Sequence, residues 1–395
     1  MISLKKSPFV FHIRKNCSNY FRIINSRGFQ WKGTPRRPGG EGKRMAQYLV
    51  TGATGQIGNT IVRMLLDSQK SVRVLVNPEE DTTPLAGLPV EVSYGDILVK
   101  DSMKDFFNIE NPREAILIHA QERNVISDKT DLMVRRVNVH GTMNITDTCV
   151  KKKIGKLIYI GSARAIPLNN NTEPVKDVKY FDRNKVVGDY AKSKAEATQY
   201  ILDKVSLTGL NAVILLPSLV LGPFEYGNSD IVALIRDYLS GDLKVTIPGG
   251  GDFTDVRDVA AGVLEAAEHS EKGSCYILSN AYMSTQDFLH SLHEITGREE
   301  VTKTVPNWLL NGKGIAQLYY KILRKENPKD KFGPFISPEP LYQSERANAE
   351  LHYAPRDLRA SLEDTIDWVE KNPSKNAKTG DGKDGSDVVK KASNG

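Results

Sequence analysis

Short apolar runs alternate with amphipathic stretches along the central part of the chain. Runs such as "YLVTG", "SVRVLVN", "AILIHA" and "KLIYIGS" hold consecutive apolar residues, as parallel strands buried on both faces do. Stretches such as "NTIVRMLLDSQ" and "VNVHGTMNITDTCVKK" lie between them and favour helix. Further strands are predicted at "VEVSYGD" and "NAVILLP", and further helices at "KDSMKDFFN", about 189–205, 230–240, 256–268 and 284–296. The alternation predicts an α/β fold, a doubly wound parallel sheet with helices on both faces.

The alternation weakens after residue 217. "GPFEYGNSD" and "IPGGGD" are typical of loops, and the pattern predicts a smaller, irregular substrate-binding cap formed mainly by 218–345. The main domain would then occupy 45–370. The polar, glycine-rich segment 371–395 is expected to be disordered. Because no apolar run approaches the roughly 18 residues that a bilayer requires, no membrane span is expected.

The net charge of +6 is unevenly distributed. Residues 1–44 contain eleven Lys and Arg and one acid, Glu41, and the segment from Lys371 onward contains six Lys and three Asp. The body between them therefore carries an excess of negative charge. A nucleic-acid-binding protein usually has a basic face on its folded body, so this distribution argues against nucleic acid as a partner.

The basic extension 1–44 has two interpretations. Its composition suits an organellar transit peptide. We favour a dispensable extension before an internal start, because Met45 directly precedes the first strand and the extension shows no clean amphipathic period. The expected location is then cytoplasmic. Cys17, Cys149 and Cys275 are too far apart for a disulfide framework or a zinc site, which suits a reducing compartment and predicts no metal.

"YLVTGATGQIGNTIV" places three glycines between a predicted strand and a predicted helix. Gly52 would permit a tight turn, Gly55 would let the backbone approach a diphosphate, and Gly58 would let helix and strand pack closely. The free N–H groups at the helix start would attract phosphate. In this context the loop predicts a dinucleotide site rather than an ordinary tight turn.

"GDYAKSKAEA" places Tyr190 four positions before Lys194 in a helix-favouring stretch, so both side chains should share a helical face. On its own this spacing is more often that of an ordinary amphipathic helix than of a catalytic pair.

With these motifs the chain resembles the short-chain dehydrogenase/reductase superfamily, in the extended branch that contains dihydroflavonol-reductase-like enzymes and NAD-dependent sugar epimerases and dehydratases. The resemblance covers nearly all of 46–370, in family order. Its motifs are "TGATGQIG" (51–58), "YGD" (94–96), "VNVHGT" (137–142), "LIYIGSA" (157–163), Tyr190-x-x-x-Lys194, "LLPSLVLGPF" (215–224), "DVRDVA" (255–260) and "LHYAP…DTIDW" (351–368).

The resemblance implies a Ser-Tyr-Lys catalytic site and a bound NAD or NADP. Tyr190 would exchange a proton with the substrate oxygen, Ser162 would polarise that oxygen, and Lys194 would bind the nicotinamide ribose and lower the phenol pKa. The residues that the resemblance places against the cofactor are Gly52, Thr54, Gly55, Gln56, Ile57, Gly58, Asn77, Asp96, Ile97, Ala120, Tyr190, Lys194 and Pro217.

Two positions depart from the family pattern. Val76 and Asn77 stand where NAD enzymes usually present an acid to the ribose, which favours NADP, with Arg73 and Asn77 as helpers. After the fourth strand the family usually has small residues, whereas this chain has Gln121 and Glu122. These two side chains could line an altered pocket or point outward.

Three functions remain open at this level. The first is an NAD(P)-dependent reductase or dehydrogenase acting on a carbonyl/alcohol pair. The second is a nucleotide-sugar epimerase or dehydratase, for which Arg236, Lys244 and Arg257 could bind a sugar nucleotide. The third is a non-catalytic dinucleotide sensor, which retention of the Ser-Tyr-Lys set disfavours. Family members often form homodimers through the helices at about 137–152 and 189–205, so a homodimer is expected.

Overall fold

A computed structural model describes residues 47–124, 131–168, 173–227, 229–306, 310, 332–336 and 341–373. The predictions for the basic extension 1–44 lie outside these residues, as do parts of the proposed cap and nearly all of the 371–395 tail. The division of the chain into these three segments therefore stays a prediction.

The described residues contain ten strands. In chain order they are β1 Gln47–Thr51, β2 Ser71–Val76, β3 Glu91–Tyr94, β4 Ile116–His119, β5 Lys156–Ile160, β6 Ala212–Pro217, β7 Leu219–Leu221, β8 Gly250–Asp255, β9 Cys275–Leu278 and β10 Ala281–Ser284. The α-helices are α1 Gln56–Asp67, α2 Leu132–Arg135, α3 Thr142–Lys152, α4 Asp189–Thr208, α5 Asp230–Ser240, α6 Val256–His269, α7 Thr285–Thr296, α8 Gly333–Ile336, α9 Glu345–Glu350 and α10 Leu358–Lys371.

Seven strands form one sheet with the order β3-β2-β1-β4-β5-β6-β9. All of its pairings are parallel, with Val50 of β1 opposite Val74 of β2 and Ile118 of β4. The predicted doubly wound parallel sheet is therefore confirmed. The strand order reverses between β1 and β4, and in such sheets ligands bind at the carboxyl ends of the strands beside this reversal.

Alternate residues of the central strands enter two different cores. Leu49 of β1 belongs to the core on one face, which is covered by α3 and α4, whereas Val50 belongs to the core on the other face, covered by α1 and α6. Side chains alternate across a strand, so a strand covered on both sides must be apolar at every position. This explains why the central strands read as uninterrupted apolar runs.

A second, smaller sheet is more regular than the predicted irregular cap. Its order is β10-β8-β7, with β10 antiparallel and β7 parallel to β8. It packs on a third apolar core that includes Phe253 and Phe288, whose rings stack at 5.6 Å between centroids. These strands are short and contain several glycines and polar residues, so their sequence resembled loop.

The predicted helix at "KDSMKDFFN" is wrong. The structure has a single 3₁₀ turn, Lys100–Met103, followed by further turns. Phe106 and Phe107 are adjacent and both buried. In this turn conformation both rings enter the core on one face of the sheet.

Candidate active site

A cavity of about 440 Å³ lies at the carboxyl edge of the large sheet, beside the reversal between β1 and β4. It brings together the glycine loop after β1, the segment after β4, the end of β5 and the start of α4. The predicted site residues in its lining are Gly52, Thr54, Gly55, Gln56, Ile57, Gly58, Ala120, Ser162, Tyr190 and Pro217. Motifs that are far apart in the sequence therefore meet in one site.

The three glycines of the loop differ in the space around them. Gly52 has a φ of +71°, and a Cβ added there would lie 2.6 Å from the carbonyl carbon of Ala120. A Cβ on Gly58 would lie 2.0 Å from the Gly52 carbonyl oxygen. A Cβ on Gly55 would meet only that oxygen, at an ordinary 3.5 Å. Gly52 and Gly58 thus serve the turn and the packing of α1, whereas Gly55 opens onto the cavity.

This loop fits the diphosphate of a dinucleotide. Gly55 is the N-cap of α1, and the first turn of α1 contains no acidic residue. The first N–H groups of a helix have no intrahelical acceptor and carry a partial positive charge, so they attract phosphate. The open face of Gly55 leaves room for the phosphate to approach the backbone.

Tyr190, Ser162 and Lys194 lie together where α4 meets the end of β5. Tyr190 and Ser162 both line the cavity, and their side chains lie close enough to interact. Lys194 lies one helical turn after Tyr190 and is 1% exposed. Its Nζ donates a hydrogen bond of 2.9 Å to the Ile160 carbonyl oxygen at the end of β5. The Lys194 ammonium is thus carried by α4 and held in place by a hydrogen bond to the sheet.

Glu122 points into the same site. Its Oε2 accepts a hydrogen bond of 3.0 Å from the Tyr190 hydroxyl and lies 2.5 Å from Lys194 Nζ. Glu122 also lines the cavity, together with Gln121. Of the two possibilities left open by the sequence, the structure therefore places the Glu122 carboxylate inward, against the Tyr-Lys pair.

Burial and Glu122 determine the proton affinity of the Tyr-Lys pair. Burial and the Glu122 carboxylate raise the pKa of Tyr190 above its usual value and outweigh the opposing effect of Lys194. Burial tends to lower the pKa of Lys194, but Glu122 and the neighbouring phenols raise it overall. The expectation of a lowered phenol pKa is therefore wrong for this arrangement: Lys194 acts in the expected direction, but the Glu122 charge and burial reverse the result.

A second pair with the same spacing lies further along α4. Tyr200 and Lys204 also stand four positions apart, and both contact Asp147 of α3, at 2.6 Å from the phenol oxygen and 2.9 Å from the ammonium. Neither residue lines the cavity. The Tyr-x-x-x-Lys spacing alone thus occurs twice on one helix, and only the first pair reaches the site.

Residues 48–279 match the family model described as the NAD dependent epimerase/dehydratase family. The chain belongs to this family. Sterol demethylase protein B of Methylococcus capsulatus is 26% identical to it over 333 residues, covering 81% of this chain and 97% of that protein. A Synechocystis protein assigned provisionally as a dihydroflavonol 4-reductase is 28% identical over 329 residues, covering 82% and 94%.

Solved structures agree on the fold of this family. The UDP-glucose 4-epimerase of Thermus thermophilus, solved as a complex with NAD, superposes with a TM-score of 0.63 at 20% identity, covering 82% of this chain and 99% of that chain. Membership of the family makes the protein an NAD(P)-dependent enzyme of the oxidoreductase or epimerase type. Within the described residues, no helix is both long and apolar enough to cross a membrane.

The part of the family site that would recognise the adenosine ribose differs from the sequence prediction. Arg73 does not reach the cavity; its guanidinium contacts three carbonyl oxygens, at Asp105, Phe106 and Asn108, and pairs with Glu91 at 2.8 Å. Arg73 lies too early in β2 to reach the carboxyl edge, so its suggested role toward NADP is wrong.

Glu80 was missed by sequence reasoning. Its carboxylate lines the cavity, accepts a hydrogen bond from the Thr54 hydroxyl and accepts another, of 3.2 Å, from the Asn77 N–H. Family members usually present the acid directly after the second strand, whereas Glu80 reaches back through a turn. The signal was the acidic run "NPEEDTTP" just after β2.

Four predicted cofactor residues lie outside the cavity lining: Asn77, Asp96, Ile97 and Lys194, which is buried behind Tyr190. Asn77 holds Glu80 through its N–H, Asp96 accepts a hydrogen bond of 2.8 Å from the Leu98 N–H, and Ile97 is buried in the core beside Gly141. Their contacts with a cofactor stay predictions.

His119 is a wall residue behind the site. Its ring contacts the hydroxyls of Thr51 at 2.6 Å and Thr142 at 3.0 Å. Burial, with a smaller contribution from Lys194, lowers the pKa of His119 to about 3, so the imidazole is neutral. A neutral ring adds no charge to the Tyr-Lys pair.

Proposed function

We propose that the protein is an NAD-dependent reductase or dehydrogenase that interconverts an uncharged carbonyl compound and its alcohol, with Ser162, Tyr190 and Lys194 as its catalytic residues. One observation supports this most directly. The Ser162 and Tyr190 hydroxyls line the cavity onto which Gly55 opens, with the buried Lys194 directly behind them. Phosphate recognition and proton transfer would then occur in one continuous space.

Each of the three side chains has a distinct task in this proposal. When bound, the nicotinamide supplies or accepts the hydride at the substrate carbon. Tyr190 gives a proton to the carbonyl oxygen in reduction and takes it back in oxidation. Ser162 donates a hydrogen bond to the same oxygen, and the Lys194 cation stabilises the phenolate that reduction leaves on Tyr190.

The charges of the cavity favour an uncharged substrate over a nucleotide sugar. The acidic lining residues are Glu80, Glu122, Glu225 and Asp230, against the single lining cation Arg164 among the described residues. The described lining therefore offers a second diphosphate, beside that of the cofactor, one cation against several acidic side chains. Of the cations suggested for a sugar nucleotide, Arg257 is bound by Asp255 and Asp364 at 2.7 Å each, and neither Arg236 nor Lys244 lines the cavity.

Glu80 supports NAD rather than NADP. A carboxylate at this place can accept a hydrogen bond from the ribose 2′-hydroxyl but repels a 2′-phosphate. Replacing Glu80 with Gln should raise the dissociation constant for NADH and lower that for NADPH. Fluorescence titration with both cofactors tests this, and an unchanged ratio of the two constants would remove Glu80 from cofactor selection.

The first experiment identifies the cofactor and the reaction together. The purified protein is denatured, and the dinucleotide that it releases is identified. Turnover is then measured on a panel of sterols, flavonoid and aliphatic carbonyl compounds, their alcohols, and UDP- and dTDP-sugars. Freely exchanging NADH with turnover of an uncharged carbonyl supports the proposal. Tightly retained NAD with turnover of a nucleotide sugar would establish the epimerase instead.

Tyr190→Phe and Tyr200→Phe form a matched pair of variants. Each removes one phenol oxygen from the same helix at the same spacing from a lysine, but only Tyr190 lines the cavity. We expect Tyr190→Phe to lower turnover by about 10²–10⁴-fold with cofactor affinity retained, and Tyr200→Phe to leave turnover near normal. Near-normal turnover of Tyr190→Phe would favour the dinucleotide sensor.

The homodimer and the cytoplasmic location stay predictions. Sedimentation at micromolar concentration tests the first, and a fluorescent fusion to the full chain, compared with one that begins at Met45, tests the second.

A further inference from the structure

The Glu122 carboxylate is not part of the Ser-Tyr-Lys set, yet it contacts two members of that set. One oxygen, Oε2, contacts both the Tyr190 hydroxyl and Lys194 Nζ. The family usually has a small residue in this segment, so this contact is a property of the present chain. A carboxylate between a phenol and an ammonium changes how readily the phenol loses its proton.

The backbone that carries Glu122 is fixed by a buried amide. Asn138 Oδ1 accepts a hydrogen bond of 2.7 Å from the Arg123 N–H, and its Nδ2 donates one of 3.1 Å to the Arg123 carbonyl oxygen. Asn138 Nδ2 also donates to the Ser193 hydroxyl on α4, at 3.0 Å. Asn138 itself lies in the π-helical segment Arg136–Gly141, a type of irregularity often found at functional sites. Asn138 therefore ties the backbone of Arg123, directly after Glu122, to α4.

The charged and titratable groups that face Tyr190 come from three elements and the segments that follow them. Glu122 follows β4, Ser162 follows β5, and Lys194 lies on α4 itself. Tyr159 of β5 faces Lys194, with its ring 5.1 Å from Nζ, and the neutral His119 lies at the end of β4. Among these, Glu122 supplies the negative charge and Lys194 the positive charge. With both present, the Glu122 charge offsets the stabilisation that the Lys194 cation gives to a phenolate on Tyr190.

We propose that Glu122 is a positioning residue that holds the proton on Tyr190, so that the site keeps the neutral phenol that reduction needs at the expense of the phenolate that oxidation needs. It accepts the hydrogen bond of the neutral phenol, and its charge opposes formation of the phenolate. This inference rests on the proposed role of Tyr190 as the proton donor. In reduction, the carbonyl carbon receives the hydride from the reduced nicotinamide and the oxygen receives the Tyr190 proton; the phenolate is then reprotonated from solvent.

The first test is a spectroscopic pH titration of tyrosinate absorbance, which needs neither substrate nor cofactor. Wild type, Glu122→Gln, Tyr190→Phe and the double variant are compared, so that the signal of Tyr190 is obtained by difference. Glu122→Gln keeps an oxygen acceptor and removes the charge. We expect the Tyr190 signal to titrate about 1–3 pH units lower in Glu122→Gln, because a charge at contact distance shifts a pKa by that amount.

Asp147→Asn is the matched control. Asp147 contacts Tyr200 and Lys204 on the same helix, outside the cavity. The Tyr200 signal should move in this variant and should still move when Tyr190 is Phe. If the Tyr190 signal is unchanged in Glu122→Gln while Tyr200 responds in Asp147→Asn, the proposal is overturned.

The second test is the pH profile of turnover with the carbonyl substrate found by the panel. In Glu122→Gln the decline of the reduction rate at alkaline pH should move to lower pH. The rate of oxidation at neutral pH should rise relative to the rate of reduction. Asp147→Asn should keep the wild-type pH profile. A titration shift without any carbonyl turnover would count against the proposed function and would leave intact only the assignment that Glu122 holds the proton on Tyr190. A loss of turnover without a change in the profile would overturn that assignment.

Glu122→Asp covers the case in which Glu122→Gln does not fold. It keeps the charge but withdraws it by one methylene, so the Tyr190 signal should shift in the same direction by less. A Glu122→Asp titration identical to wild type, or shifted upward, would contradict the proposal.

Discussion

Gly55 and Gly58 lie in the same loop, but the structure predicts opposite consequences for their substitution. A Cβ on Gly58 would lie 2.0 Å from the Gly52 carbonyl oxygen and 2.7 Å from its carbon. Both are backbone atoms, and Gly52 is itself packed against the backbone of Ala120. Gly58→Ala therefore requires α1 to move away from β1. At the upper end of typical overpacking costs this is about 3 kcal/mol, or a fall in melting temperature of roughly 4–5 °C for a folded body of this size.

Gly55→Val should fold and lose the cofactor. Gly55 has φ −78° and ψ 163°, a conformation open to valine, and its Cβ would make only one ordinary contact. The stability cost is that of a poor N-cap residue, about 1 kcal/mol. The valine methyls would occupy the space into which a diphosphate must come, so we expect NADH affinity to fall at least about tenfold, equivalent to about 1.4 kcal/mol.

Differential scanning fluorimetry and titration of nicotinamide fluorescence, applied to both variants, separate these outcomes. Gly55→Ala serves as an intermediate control, with little loss of stability and a smaller loss of affinity. Unchanged NADH affinity in Gly55→Val would mean that the phosphate loop is misassigned. A wild-type melting temperature in Gly58→Ala would refute the packing argument.

Two further predictions concern the surroundings of the cavity. Burial alone would raise the pKa of Asp255, but its contacts with Arg257 and Arg356 lower it overall. The ionised carboxylate therefore stabilises the folded state fully above the ordinary carboxyl pKa of about 4. This stabilisation is lost as the pH falls through the folded-state pKa. Asp255→Asn should therefore cost about 3 kcal/mol in urea unfolding at pH 7 and progressively less below pH ~4, whereas Asp367→Asn, which breaks an exposed pair with Lys371, should cost little at either pH. Trp368 of α10 donates a hydrogen bond of 3.0 Å to the Glu225 carbonyl oxygen and packs on Phe224 and Tyr226. At the start of the same loop, the Gly222 carbonyl oxygen accepts a hydrogen bond of 2.9 Å from Gln56 of α1. Trp368→Ala should release this loop and speed NADH dissociation in stopped-flow measurements; an unchanged rate would show that the loop does not retain the cofactor.

The sheet and the phosphate loop could be predicted because their physical causes are local. A strand buried on both faces must be apolar at each position, and a helix packed closely on the preceding strand needs glycine at Gly58. The helix predicted at "KDSMKDFFN" was wrong because the segment forms turns that place both Phe106 and Phe107 in a core. That core is assembled from distant parts of the chain, so the local sequence does not show it. The three-stranded sheet of the cap was missed because short strands with glycine and polar residues have no period of their own.

The two acids that matter at the site could not be placed from the sequence, for different reasons. Glu80 lies four residues beyond β2, and only the turn that brings its carboxylate to Thr54 and the Asn77 N–H makes it part of the cavity. Glu122 lies beyond the end of β4, where the strand alternation that fixes side-chain direction has ended. Its direction is set by Asn138, which is close to Arg123 only in the folded chain.

The two Tyr-Lys pairs of α4 show which part of the motif carries function. In both pairs a phenol and an ammonium stand four positions apart, and in both a carboxylate contacts each of them. What differs is the surrounding fold: Tyr200 packs toward α3, whereas Tyr190 meets Ser162 at the carboxyl edge of the sheet, in the cavity that the glycine loop shares. The spacing therefore specifies only that the side chains lie close together, and the strand ends decide whether they can act on a substrate. Because a carboxylate accompanies both pairs, the Asp147 pair provides within the same molecule the comparison needed to measure what Glu122 does to Tyr190.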